Sequence, residues 1–179
     1  MKWLALFALG TILHPGVAIR DLDGVMREPL RVEAGHLGAL FFVTNDCPVS
    51  NYYAHEIRRI CEDYSSRGVS CALVYTDPAM TDAQARNHAR EYGQGSYPKF
   101  VDRKHELVKA AGAAINPTAI IIGPGASIAY RGRIDNSFAA IGKQRRVVTE
   151  HDLREALDAV LAGRPVAKPE TQPIGCYIE

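Results

Sequence analysis

One junction in the sequence restricts the fold more than any other. Leu37-Gly38-Ala39-Leu40-Phe41-Phe42-Val43 is an unbroken apolar run, and after Thr44-Asn45-Asp46 the chain reads Cys47-Pro48. An apolar run of that length is a strand covered on both faces. Proline is tolerated in the first helical turn, where an N–H has no partner to lose, so Pro48 opens a helix and Cys47 stands at or next to its N-cap. Tyr53, Ile57, Ile60 and Tyr64 follow at steps of four, three and four, which draws one apolar stripe along that helix. A buried strand running directly into an amphipathic helix points to an α/β layout.

The rest of the chain continues the alternation. Ser70-Cys71-Ala72-Leu73-Val74-Tyr75 reads as a second buried strand, closed by Thr76-Asp77-Pro78. Thr81 with Gln84 forms a capping box that opens a helix running to about Tyr92, before Gly93. Thr118 to Ile122 is a third apolar strand, and Gly123-Pro124-Gly125-Ala126 turns it into a returning strand from Ser127 to Arg131. A last helix is expected with Thr149 as N-cap, Leu153, Ala156, Leu157, Val160 and Leu161 on its apolar face, and Gly163 as its stop. One central sheet covered on both sides accommodates these pieces. The tail from Arg164 to Glu179 carries Pro165, Pro169 and Pro173 and is expected to lie extended over the surface.

The first eighteen residues have the layout of a secretory signal peptide. Lys2 precedes an apolar stretch from Trp3 to Ile12, Pro15-Gly16 breaks it, and Gly16-Val17-Ala18 offers small residues before a cut after Ala18. The stretch is short for a membrane span. A periplasmic or secreted protein is expected, with a folded domain over residues 19–163, a tail over 164–179, and membrane contact only during export. The chain's 21 basic and 20 acidic residues leave a formal charge of +1 with no basic run. Nucleic acid is therefore not an expected partner. Four cysteines at 47, 61, 71 and 176 contain no C-x-x-C pair, which excludes a zinc finger.

Chemistry is concentrated at Cys47. A sulfur at a helix N-terminus faces unpaired backbone N–H groups and the positive end of the helix dipole, both of which favour the thiolate, the nucleophilic form. The segment Phe41-Phe42-Val43-Thr44-Asn45-Asp46-Cys47-Pro48-Val49-Ser50-Asn51 resembles the peroxiredoxin-like redoxin branch of the alkyl hydroperoxide reductase/thiol-specific antioxidant superfamily. Tyr130-Arg131-Gly132-Arg133-Ile134-Asp135, Thr149-Glu150-His151-Asp152-Leu153 and Gly175-Cys176-Tyr177-Ile178 extend the likeness over residues 20 to 179. The resemblance implies a thioredoxin-like fold, a central mixed sheet flanked by helices with an extended C-terminal tail. It makes Pro117 of Asn116-Pro117-Thr118 the cis-proline that sits against the reactive sulfur. It further implies that Thr44 orients the sulfur and a peroxide, and that Arg131 or Arg133 supplies a guanidinium to the thiolate. The chain departs from the pattern at Ser50, where thioredoxins carry a second cysteine, and at Leu40, where peroxiredoxins carry proline.

The remaining cysteines divide. Cys71 within a strand and Cys61 beside Ile60 read as core residues. Cys176, on the tail behind Gly175, is the candidate resolving thiol, the alternative being a thiol that packs or pairs two chains. His36, His55, His88, His105 and His151 share no metal-ligand spacing, and the residue four before Cys47 is Val43, so neither a metal nor a cofactor is expected. The expected function is that of an exported antioxidant-type oxidoreductase, reducing peroxide or exchanging disulfides at the expense of an external thiol reductant. The rival is a non-catalytic module of the same fold that docks a membrane or cytochrome partner.

Overall fold

The computed structural model describes residues 16–179. The apolar stretch Trp3 to Ile12 of the expected signal peptide lies outside the described residues. In chain order the elements are β1 (Ile19–Arg20), β2 (Met26–Arg27), β3 (Leu37–Val43), α1 (Pro48–Ser65), β4 (Val69–Tyr75), α2 (Asp82–Glu91), β5 (Lys99–Val101), α3 (Glu106–Ala111) and β6 (Ile115–Asn116). They continue with β7 (Thr118–Gly123), a 3₁₀ turn at Pro124–Ala126, β8 (Ser127–Gly132), β9 (Phe138–Ala140), β10 (Lys143–Gln144), α4 (Asp152–Leu161) and β11 (Cys176–Tyr177).

The central sheet has the order β5-β4-β3-β7-β8. The first three strands are parallel and the last two antiparallel, so the sheet is mixed. Every residue of β3 is buried, as its unbroken apolar run requires of the middle strand. Because side chains alternate along a strand, Ala39 and Phe41 meet α1 and α4, whereas Leu40 and Phe42 meet α3 on the opposite face. The stripe Tyr53, Ile57, Ile60 and Tyr64 is buried as its spacing demands. The capping box forms, with Thr81 Oγ1 accepting from the Gln84 N–H at 3.2 Å and Gln84 Oε1 from the Thr81 N–H at 2.8 Å. No described helix is long and apolar enough to cross a membrane.

One expectation needs correction and two gain detail. The last helix begins at Asp152 with His151 as N-cap, not Thr149. Thr149 is taken instead by Asn136, whose Nδ2 donates to Thr149 Oγ1 at 2.8 Å and whose Oδ1 accepts from the Thr149 N–H at 3.0 Å. The tail is extended but also tied into the fold. Arg131 N–H donates to the Pro169 carbonyl and Thr171 N–H to the Arg131 carbonyl, and β11 pairs antiparallel with β6. Finally, Cys61 and Cys71 are buried as expected but joined in a disulfide, with Cα atoms 5.7 Å apart, that ties α1 to β4.

Candidate active site

The site lies where β3 ends and α1 begins. Cys47 is the N-cap, in extended conformation, with Pro48 in the first turn, and its carbonyl accepts the Asn51 N–H at 3.0 Å. Its sulfur does not cap the helix. Sγ turns instead to β6 and donates to the Asn116 carbonyl at 3.5 Å, and Cys47 is only 1% exposed. The Asn116–Pro117 peptide bond is cis, and both residues are buried directly before β7. Asn116 Nδ2 donates to Thr76 Oγ1 at 2.9 Å, which fixes β6 to the end of β4.

The tail completes the site. Cys176 stands opposite Asn116 and Tyr177 opposite Ile115, and Ile178 N–H donates to the Ala114 carbonyl at 3.0 Å. A Cβ at Gly175 would collide with the Asn116 carbonyl, so only glycine lets the strap lie this close to the peptide that receives the Cys47 thiol. Burial, and then the hydrogen bond and charge of the Cys47 sulfur beside it, push the Cys176 thiol up to about 12, so Cys176 keeps its proton at neutral pH. Two free thiols thus stand at the Asn116 peptide, Cys47 donating to its carbonyl and Cys176 paired opposite it in β11. Thr44, Asp46, Asn116 and Cys176 line a groove of about 490 Å³ that opens beside them.

A β3–Cys–Pro–α1 junction, a cis-proline before β7 and residues 27–131 matching AhpC/TSA decide the family. The chain belongs to the AhpC/TSA family. An uncharacterized conserved protein of Geobacillus kaustophilus is 29% identical, with a TM-score of 0.80 over 93% of this chain and 89% of that one. A hypothetical protein of Sinorhizobium meliloti is 25% identical, with a TM-score of 0.76 over 92% of this chain and 91% of that one. The fold also recurs in a secreted Mycobacterium tuberculosis disulfide oxidoreductase described as homologous to Escherichia coli DsbE. That protein is 13% identical, with a TM-score of 0.57 over 83% of this chain and 96% of that one. No curated protein matches the chain.

Within this redoxin frame, the residues singled out in the sequence are not all brought together. Cys47, Pro117 and Cys176 meet around the Asn116 peptide. Thr44 lines the groove, yet its hydroxyl donates to Asp46 Oδ1 at 2.7 Å and not to the sulfur. Arg131 is turned to other partners, since its guanidinium donates to Glu170 at 2.8 Å and to the Ala111 carbonyl at 3.2 Å. Arg133 is held by Asp152 at 2.8 Å and Glu150 at 2.7 Å. The expectation of a guanidinium on the Cys47 sulfur is thus corrected, because carboxylates on the tail and α4 compete for both side chains. Asn51, His88 and Tyr75 form a hydrogen-bonded chain behind the Cys47 loop that sequence reasoning missed. Its only sequence signal was the asparagine that closes Cys-Pro-Val-Ser-Asn. Among the described residues no group of three His, Cys, Asp or Glu side chains converges as a metal site.

Proposed function

We propose that this chain is a two-cysteine thiol–disulfide oxidoreductase in which Cys47 is the attacking sulfur and Cys176 the resolving one. The observation that carries the reading is the pairing of β11 with β6, which sets the Cys176 thiol against the Cys47 sulfur. Cys47, at the N-cap of α1, is the nucleophile of the pair, and Cys176, on the tail strand, follows it. Its thiolate attacks one sulfur of a substrate disulfide, a Cys47–substrate bond forms, and the other substrate sulfur leaves as thiolate. Cys176 then gives its proton to solvent and attacks the Cys47 sulfur. The Cys47–Cys176 disulfide forms, the second substrate thiolate leaves, and two electrons have passed from the pair to the substrate. An external dithiol, itself oxidised to a disulfide, returns the pair to the reduced state.

Cys47 is nearly inaccessible under the strap, so the strap lifts for attack and reseats for resolution. A two-residue strand near the chain end has few hydrogen bonds to break and peels away at low cost. A disulfide substrate is favoured over a peroxide because the Thr44 hydroxyl and both hairpin arginines are engaged elsewhere. The activity named for the Mycobacterium tuberculosis protein of the same fold supports this choice. The buried Cys61–Cys71 disulfide and the apolar N-terminal stretch support work in an oxidising compartment, periplasmic or secreted.

The test is a disulfide map. The reduced chain is treated with one equivalent of a small disulfide, free thiols are blocked, and the digest is read by mass spectrometry. A Cys47–Cys176 peptide beside the Cys61–Cys71 peptide is expected. Turnover with Cys176 still free would overturn the resolving role.

A further inference from the structure

The strongest unused feature is the hydrogen-bonded chain behind the Cys47 loop. Asn51 lies one turn into α1 and grips the loop twice: its backbone N–H donates to the Cys47 carbonyl at 3.0 Å, and its side-chain Nδ2 donates to the Asn45 carbonyl at 2.9 Å. With Nδ2 spent on a carbonyl, the facing atom is Oδ1, an acceptor only, and it stands 2.9 Å from His88 Nε2. The proton of that bond therefore sits on Nε2. In the neutral ring Nδ1 is then a bare acceptor, 2.9 Å from the Tyr75 hydroxyl, which also reaches the Ala85 carbonyl at 3.2 Å. Burial holds His88 below its ordinary value against the opposing pull of Glu91, in keeping with a neutral ring. Tyr75 itself is fully buried in β4, and the Tyr92 ring covers the imidazole at 4.5 Å between centroids. From the ring outward the order of donors is His88 to Asn51 and Asn51 to the Asn45 carbonyl, with the Tyr75 hydroxyl set between His88 Nδ1 and the Ala85 carbonyl.

We propose that His88 is a positioning residue for the Cys47 sulfur, acting through Asn51 to hold the strand-to-helix loop in the register that presents Sγ to Asn116 and Cys176. His88 touches no reacting atom. Its N–H holds one end of the Asn51 amide while the Asn45 carbonyl holds the other, and a group that cannot donate at position 88 leaves a part-buried Oδ1 without a partner. The amide then turns or tilts, the loop over residues 44–47 gains freedom, and the sulfur loses its fixed approach to Cys176. Small misplacements of a reacting atom cost far more in rate than in stability. The role rests on the reading of Cys47 and Cys176 as the redox pair.

The experiment compares His88→Leu, which cannot donate, with His88→Gln, whose amide N–H can. Both remove the imidazole and its packing and so lower the melting temperature, His88→Leu the more because it also leaves Asn51 Oδ1 unpaired. The rate of Cys47–Cys176 closure after addition of a small disulfide separates them. His88→Leu is expected to slow closure roughly ten-fold or more, and His88→Gln to recover most of that loss. Asn51→Asp is the second variant, because it keeps an acceptor for His88 but sets a carboxylate oxygen against the Asn45 carbonyl. It is expected to slow closure as His88→Leu does. Equal closure rates in His88→Leu, His88→Gln and the native chain would overturn the proposal. So would equal slowing in both His88 variants, which marks a packing role only. Iodoacetamide alkylation of Cys47 in a Cys176→Ser background gives a readout independent of the redox reading. A loosened loop alkylates faster in His88→Leu than in His88→Gln even if no Cys47–Cys176 disulfide ever forms, and equal alkylation rates in the two count against the role.

Discussion

The two cysteine pairs of this chain sit about the same central sheet and are built in opposite ways. Cys61 and Cys71 belong to α1 and β4, two long elements packed face to face, and their disulfide is sealed between them. Cys47 and Cys176 belong to a helix N-cap and to a two-residue strand on a tail, and both are free thiols. In the first pair the surrounding elements hold the sulfurs whether or not they are bonded. In the second only the strap's pairing with β6 brings the sulfurs together. On the proposed reading, what separates a structural pair from an exchangeable one is how much of the fold holds its carriers: two long packed elements in the first case, a two-residue strand in the second.

The largest effect separates chemistry from scaffold. Cys47→Ser is expected to remove disulfide exchange down to background while the melting temperature stays put, since serine keeps both volume and N-cap capacity. Steady-state reduction of a small disulfide read beside thermal unfolding checks this. If turnover persists, the contrast between the pairs has no functional meaning. The reverse is expected of a Cys61→Ala/Cys71→Ala double variant. Removing a buried cross-link costs about 2–4 kcal/mol of stability by denaturant titration, with the Cys47–Cys176 closure rate preserved.

A smaller effect tests the strap alone. Gly175→Ala adds a Cβ where the Asn116 carbonyl already stands, so β11 is expected to unseat without disturbing the sheet. Closure of the Cys47–Cys176 pair should slow roughly ten-fold, and Cys47 should become easier to alkylate, because the strap both covers one sulfur and delivers the other. Unchanged alkylation would mean that the tail is not what shields Cys47.

These contrasts were legible in the sequence to different depths. The strand–Cys–Pro–helix junction, the α1 stripe and the capping box follow from local chemistry, and each is found at the expected residues. Pro117 was singled out by resemblance and Cys176 by its place on the tail behind Gly175, and their meeting at Asn116 depends on a pairing between residues sixty apart that no periodicity encodes. Arg131 shows the opposite case. A hairpin arginine reads as available until the tail is folded, when Glu170 and the Ala111 carbonyl occupy it. Cys61 and Cys71 read correctly as buried. Their bond depends on how α1 lies across β4, which the apolar stripe alone does not specify. The short β5, α3 and β6 fall below the length at which apolar periodicity is readable.

The strap also carries its own pH dependence. Cys176 is raised from 9.0 to about 12, by burial first and then by the Cys47 sulfur beside it. A thiol with a higher pKa when seated than when free favours the seated strap below pH 9.0, and that support fades as pH climbs toward 12. Trimming of the tail by carboxypeptidase is expected to accelerate across that window in the native chain and to do so less in Cys176→Ser. Identical profiles would remove Cys176 as the group that seats the strap.

Ser50 gives the finest test of the comparison, because it occupies the place where a second cysteine would make the exchangeable pair local. Its hydroxyl is buried, 3% exposed, and has no hydrogen-bond partner among the described residues. A buried hydroxyl without a partner is a net cost to the folded state, and alanine is the better helix former. Ser50→Ala is therefore expected to leave stability unchanged or raise it by up to about 1 kcal/mol. If Cys176 on its strap is the whole of Cys47's partnership, the closure rate stays at the native value, and stability and rate part company at a residue one turn from the sulfur. A variant that grows more stable but closes slowly would instead show that the Ser50 hydroxyl turns to the Cys47 sulfur once it is charged. The proposed exchangeable pair would then depend on α1 as well as on the strap.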